Sequence, residues 1–386
     1  VKLLKISVLA LIIFSFWLPV FGQTQEVVNE EILVLKAKVL EIINSREEIF
    51  PGTSTPVEVQ ELKVQIIDGK YLDKIVEFTN DYIPLDVGDV FYLVHSIHEG
   101  GEEFYTIYDP NRIPILTLLG VIFILLVLVF GGIQGLRGLL SLAGSLLVII
   151  FVLLPAILQG YSPLLVSIGV SSLIIILGSY ITHGFNKTTS SAVAGMIITV
   201  VITGLMAYFA VYNSHLSGIT DDETIFLNFN TQGGIDLLGL LMGGIMIGLL
   251  GVLYDSSIGQ AVAVEELHKV APHLGRWKIY KRAIRIGREH IGALVDTLAI
   301  AYVGASLPLL LLFYSSAESS LMLIINREVF ATEIIRILIG SIGLILAVPI
   351  TTLLSVLILI KKEEISNNSH ILKDEEAMIE HVGHTH

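Results

Sequence analysis

The sequence predicts a mainly α-helical multi-pass membrane protein, with about seven transmembrane helices preceded by a small extracytoplasmic β domain of OB-like or sandwich type. Three observations predict it. The 386 residues are 53% hydrophobic and 15% charged, with a mean hydropathy of +0.78, whereas about a quarter of a soluble domain is charged. From Ile113 onward the chain is almost continuously apolar, in blocks near the ~20 residues that cross a bilayer core. Between Thr24 and Arg112 it instead alternates polar and apolar residues in the period of half-buried strands.

The N-terminus carries Lys2 and Lys5 ahead of an apolar run from Ile6 to Phe21, broken by Pro19. A basic start, a short apolar core and the small residue Gly22 read as a signal peptide over 1–22, or as an uncleaved anchor. Either one exports the segment that follows. In the β domain (24–112), Leu62, Val64 and Ile66 alternate with Lys63 and Gln65. Asp68-Gly69 reads as a hairpin turn, and Gly88-Asp89 opens a strand through Phe91, Leu93 and His95. About five strands are expected. His95 and His98 read as surface histidines on a strand, so no metal site is expected there.

Spans are expected at 113–131, 139–159, 162–182, 189–212, 235–254, 293–314 and 333–360. The breaks at 131–135 and 159–163 are too brief for anything but tight turns. With the β domain outside, the inner loops hold Arg137, Lys187, the basic stretch within 255–292, and Lys361-Lys362. The loop from Asn213 to Gly234 falls outside, with Asp221, Asp222 and Glu223 and no Lys or Arg. That positive-inside bias predicts a cell-membrane protein with a cytoplasmic C-terminus. Gly239 and Gly243, and Gly244 and Gly248, are spaced for close helix approach, while Pro155, Pro308 and Pro349 can kink their spans. Glu333 and Arg336, three apart, read as a local ion pair. The polar tail, 361–386, reads as disordered, and its His381, His384 and His386 are a poor metal site.

The stretch from Tyr254 to Tyr302 holds the candidate functional residues. Asp255 is placed to cap a short helix that Pro272 ends, with Glu265 and Glu266 on its polar side. A second helix follows, with Trp277, Tyr280, Ile284, Gly287 and Ile291 on one face and Lys278, Lys281, Arg282, Arg285 and Arg288 opposite. Such basic amphipathic helices (261–291 together) lie in the cytoplasmic headgroup layer, which makes anionic lipid headgroups the expected partner at 276–288. Asp296, followed by Thr297, falls about one turn into the next span, and an intramembrane carboxylate points to function. Asp255 and Asp296 would then meet near the cytoplasmic face, oriented by Arg288 and His290, and could couple a proton or cation. An equally economical reading leaves both acids interfacial, capping helices or pairing with Arg285 or Arg288.

Several runs resemble the YibE/F family: Gly251-Val252-Leu253-Tyr254-Asp255-Ser256-Ser257-Ile258, Glu265-Glu266-Leu267, Gly287-Arg288-Glu289-His290-Ile291-Gly292, and Asp296 through Pro308. Gly184-Phe185-Asn186-Lys187-Thr188-Thr189 resembles that family's short cytoplasmic loop. The resemblance covers about 113–360; Tyr254 departs from it, standing where a small or apolar residue is expected. It implies an integral membrane protein of bacterial, permease-like type.

A transporter or permease-like subunit is the first functional expectation. The alternative is an assembly, sensor or signalling scaffold whose exported domain binds a ligand or partner. No enzyme is expected. Two aspartates on consecutive spans suggest an intramembrane aspartyl protease, but Asp296 lacks the Gly-x-Gly-Asp setting and both acids sit near the interface. The absence of cysteine excludes a disulfide framework and thiolate metal sites. The chain has neither His-Glu-x-x-His nor a GxxxxGK[ST] loop, so any ATP hydrolysis needs a separate ATPase partner, for which 261–291 could be the dock. Neither cofactor nor nucleic acid is expected.

Overall fold

A computed structural model describes residues 33–49, 56–97, 103–315 and 320–360. The expectations for the leader at 1–22, His98, Lys361-Lys362 and the histidine-bearing tail lie outside these residues. The chain divides into two compact units, residues 1–126 and 127–386.

The first unit is a five-stranded antiparallel sheet: β1 (Leu33–Ile49), β2 (Pro56–Ile66), β3 (Ile75–Asn80), β4 (Val90–Ile97) and β5 (Glu103–Pro110), in the order β3-β2-β1-β4-β5. Register irregularities in β1, between Val39 and Glu41 and between Ile42 and Asn44, mark bulges that bend the sheet. The sheet curls into a half-barrel whose edge strands β3 and β5 come into contact. Leu62, Val64 and Ile66 are fully buried beside Ala37, Val39, Phe91 and Leu93, the face that their alternation predicts. Gln60, also buried, accepts from the Leu85 amide (2.9 Å) and from Asn80 Nδ2 (3.1 Å) and donates to Leu85 O (3.1 Å), tying the 80–85 segment to the sheet.

His95 corrects the expectation of a surface histidine. It is fully buried, stacked on Tyr105 at 4.7 Å and met edge-on by Tyr71 at 4.9 Å. Period-two alternation places it on the same face as Phe91 and Leu93, and that parity wins over its polarity. Lys74, just before β3, reaches Glu103 at 2.6 Å and Tyr105 Oη at 2.9 Å, bridging the two edge strands.

The helical part comprises α1 (Ile113–Val148), a π-helical turn at Ile149–Leu153, α2 (Leu154–Leu158), α3 (Pro163–His183), α4 (Lys187–Asn213), α5 (Asp222–Asn230), α6 (Leu237–Val270), α7 (Arg276–Ala305), α8 (Leu307–Ser315), α9 (Leu321–Ile325) and α10 (Glu328–Leu359). Five helices among the described residues are long and apolar enough to cross a membrane, or six if the bent pair α7–α8 is one span. Within α1, Gly132 leaves helical geometry at φ 53°, a value glycine adopts without strain, so the expected turn narrows to one residue.

Two helix boundaries differ from expectation. Asp255 does not cap a new helix: α6 runs unbroken through it for 34 residues and ends, as expected, just before Pro272. The chain there holds no proline, and Ser256 and Ser257 are buried in the helix interface instead of turning the chain. Likewise the basic stretch from 276 is not a separate surface helix. It is the first half of α7, a continuous helix of 30 residues that then bends by 72° into α8. Ile279, Ala283 and Gly287 bury against α6 and α10, so this face of the segment packs in the bundle.

Glycines set the close approaches. A Cβ on Gly239 would stand 2.9 Å from Pro163 Cδ, one on Gly243 would meet Ser167 Oγ, and one on Gly248 would meet the Tyr302 hydroxyl, whereas Gly244 faces open space.

Candidate functional site

A seam of hydroxyls and one amide runs through the core formed by α4, α6 and α10. Ser191 Oγ lies 2.9 Å from Ser355 Oγ, Thr351 Oγ1 donates to Ser257 Oγ at 3.2 Å, and Thr352 Oγ1 shares its proton between Gln260 Oε1 (2.9 Å) and Val348 O (2.6 Å). All six side chains are buried. Small residues make the seam possible. A Cβ on Gly195 would lie 2.8 Å from Thr351 Cα, and one on Gly287 would lie 2.6 Å from both Gln260 Nε2 and Val348 Cγ1. At one end of it Thr188, on the first turn of α4, donates to Glu265 Oε2 at 2.5 Å. Asn186 caps α4 there, accepting from the Thr189 amide at 2.7 Å.

Other buried hydroxyls of the helical unit lack partners. Ser167, Ser171 and Ser179 on α3, Thr203 on α4, and Thr332 and Ser341 on α10 are buried, and their hydroxyls have no hydrogen-bond partner in the protein. The Tyr254 hydroxyl turns toward Ser179 and Thr182 but completes no well-formed hydrogen bond. Buried hydroxyls need a partner, and in such a place water or a polar solute supplies it.

The residues expected from sequence fall mostly outside this seam. Asp255, Glu266, Arg288, His290, Asp296 and Thr297 are exposed on the flank of the helical unit. Asp255 acts electrostatically on His183, whose ring lies 5.9 Å from that of Tyr254. No hydrogen bond or ion pair among the described residues joins Asp255 to Asp296, and Thr297 Oγ1 bonds back to Ala293 O at 2.7 Å. Glu265 is a brace: it holds Thr188 and pairs with Lys269 at 2.9 Å, and Lys269 pairs with Glu266 at the same distance. Arg276 closes the C-terminus of α10, donating to Ile360 O through Nε at 2.8 Å. Lys278, Lys281, Arg282, Arg285 and Arg288 form an exposed basic face, with Lys281 over the Trp277 ring at 5.4 Å.

The end of the helical unit that holds Ser217 and Glu328 is tied by carboxylates. Glu328 accepts from the Ser217 amide (2.5 Å), its hydroxyl (2.8 Å) and the Gly218 amide (3.0 Å). Glu333 and Arg336 form the expected ion pair at 3.5 Å, and Ser306 donates to Glu333 at 3.2 Å. Burial opposes ionisation of Asp221, but the Thr224 amide, the Thr220 and Thr224 hydroxyls and the charge of Arg336 outweigh it, holding this carboxyl below the ordinary aspartate range.

In the β unit, the hydrogen bonds that Lys74 donates to Glu103 and then to Tyr105 raise its ammonium well above its ordinary value. Lys74 in turn lowers Glu103, with Tyr105 adding to it. His95 Nε2 stands 3.6 Å from Glu103, and neither ring nitrogen is hydrogen-bonded. No group of three or more metal-ligating side chains occurs among the described residues.

Sequence reasoning missed the seam because its partners lie far apart in the chain. One signal was present: Ser257 and Gln260, three apart on α6, and Thr351, Thr352 and Ser355 on α10 each fall on one helical face.

The runs that carry the family resemblance supply much of this architecture: Thr188 and Asn186, Ser257, Glu265, Gly287 and Tyr302 all make the close contacts described above. No curated protein and no solved structure matches the chain. A family model, described as YibE/F-like protein, matches residues 119–361, more than half of the chain and nearly all of its apolar helices. On that match, the chain belongs to the YibE/F-like family.

Proposed function

We propose that this is a permease-like protein that moves a small polar or charged solute along the hydroxyl seam of its helical unit. One observation carries the reading: six buried serine and threonine hydroxyls in apolar helices without a protein partner. In hydrocarbon surroundings such groups are costly unless water or solute reaches them. Seven spans fit the fold if Gly132 divides the first apolar run and α7–α8 counts as one bent span. The charge bias of the loops supports an exported β unit and a cytoplasmic C-terminus. The exposed basic face at 278–288 suits anionic lipid headgroups, at about 1 kcal/mol per cation near the surface.

The test is flux. Full-length protein in liposomes is loaded with pyranine for protons and assayed by elemental analysis for a panel of inorganic ions. Protein-dependent flux that falls at least tenfold in a monodisperse Thr203→Val, Ser341→Ala double variant is expected. Flux no greater than that of empty vesicles across the panel, or flux indifferent to the variant, defeats the reading.

A second reading, a signalling or assembly scaffold, is favoured by a different observation. Asp255, Asp296, Arg288 and His290 sit exposed on the flank, as partner-facing residues would. A photo-crosslinking residue at Thr297 in native membranes distinguishes it, by whether one stoichiometric protein partner, such as a separate ATPase, is captured.

A further inference from the structure

Helix α5 turns an apolar side away from the protein. Ile225, Phe226 and Phe229 are 54%, 67% and 82% exposed. At 3.6 residues per turn they fall in one arc of about 100°, on the side turned from Leu227. Leu227 packs inward, against a cluster that holds Ile157 and Leu237, at the ends of two apolar stretches, and Val170, about two turns into α3. The connection is fastened at the same level. Glu328, the first residue of α10, holds Ser217 and Gly218, and the charge of Arg336, about two turns further on, acts on Asp221, which caps α5.

Nine residues are too few to hold a helix in water by propensity alone. The capping box of Asp221 and Thr224 secures one end, but Phe226 and Phe229 gain little from packing within the chain. The last turns of α4 expose further rings, Phe209 and Tyr212, with Tyr208 stacked on Tyr212 at 6.0 Å. Aromatic rings gathered at the ends of apolar helices are the pattern of a membrane–water boundary. From Asn213 to Gly234 the chain has acids and neither Lys nor Arg. What holds this helix to a lipid surface is then apolar burial, not a pull on anionic headgroups.

We propose that α5 is an interfacial helix that sets Ile225, Phe226 and Phe229 into the hydrocarbon edge of one leaflet, holding the α4–α6 connection on the bilayer. Asp222 shares their arc one turn earlier, so the helix dips toward Phe229. The inference needs the helical unit to sit in a bilayer and is indifferent to whether it conducts a solute.

The chain has no cysteine, so a single introduced thiol takes a spin label uniquely. Full-length Phe226→Cys, Phe229→Cys, Glu223→Cys and Asn230→Cys are labelled with a nitroxide and reconstituted in phosphatidylcholine vesicles. Power-saturation EPR then compares collisions with oxygen, which concentrates in hydrocarbon, and with an aqueous nickel chelate. The oxygen-to-nickel ratio should be at least threefold higher at 226 and 229 than at 223 and 230. A smaller difference places the face in water and overturns the proposal. Exclusion of both reagents at 226 and 229 means that a protein surface covers the face, and overturns it equally. Should a labelled variant not reconstitute, Phe229→Trp combined with Trp17→Phe and Trp277→Phe decides. Quenching of its fluorescence by brominated lipid supports the proposal, and any pattern without that quenching overturns it.

Discussion

Replacing Gly195 with alanine tests the close approach of α4 and α10. The added methyl would stand 2.8 Å from Thr351 Cα, a backbone atom that no rotamer change can move. Ordinary carbon–carbon contact needs about 3.5–4.0 Å, so the helices must separate locally by roughly 1 Å. The bond flanking the contact cannot absorb that: Ser191–Ser355, at 2.9 Å between the same two helices, would stretch beyond hydrogen-bonding range. Interhelical hydrogen bonds in membranes contribute about 0.6 kcal/mol each, and overpacking adds about 1–3 kcal/mol. Gly195→Ala should therefore destabilise the helical unit by about 2–4 kcal/mol. The assay is unfolding of full-length protein in mixed dodecylmaltoside and SDS micelles, compared with Gly244→Ala, whose methyl meets nothing within 4 Å. If the two variants unfold at the same SDS fraction, the backbones are not in contact and the seam is not packed as described.

Three further outcomes are expected. Gln260→Leu removes the acceptor of Thr352 but leaves that hydroxyl bonded to Val348 O, so the loss should stay near 1 kcal/mol in the same unfolding assay. Glu103 titrates below its ordinary value, so its contribution to the β unit is complete above the unfolded carboxylate range and lost as pH falls through the lowered folded value. Hydrogen exchange across 103–110 should accelerate at acid pH in the wild type, while Glu103→Gln should be fast already at neutral pH and change less on acidification. Asp296→Asn, expressed at wild-type level, should reproduce the phenotype of deleting the protein, and wild-type behaviour would remove Asp296 from the functional set.

Strand and span patterning were legible because each depends on a short period. Leu62, Val64 and Ile66 announce their buried face within five residues, and Gly132 leaves helical geometry inside the short glycine-rich stretch read as a turn. Even His95 was legible in principle, since it shares parity with Phe91 and Leu93. Asp255 misled because Asp-Ser-Ser is chemically a helix start. Only the α4 and α10 neighbours reveal that Ser257 turns inward to Thr351, and they lie dozens of residues away. The same distance hid the role of Glu265. From sequence it reads as a solvated acid available for docking, whereas Thr188, 77 residues earlier, occupies it. The orphaned hydroxyls were illegible for a stronger reason: whether a serine bonds its own helix, a neighbour or nothing is decided by packing.

The uninterrupted α7 has a mechanical consequence. At 1.5 Å per residue its 30 residues make a rod about 45 Å long. Arg276 at one end is fastened to the last carbonyl of α10, Gly287 sits against Gln260 partway along, and Tyr302 rests on Gly248 near the other end. A stiff rod held at three points behaves as a lever. A push on its basic end, pivoting where Gly287 meets Gln260, would swing Tyr302 and the bend beyond it in the opposite sense.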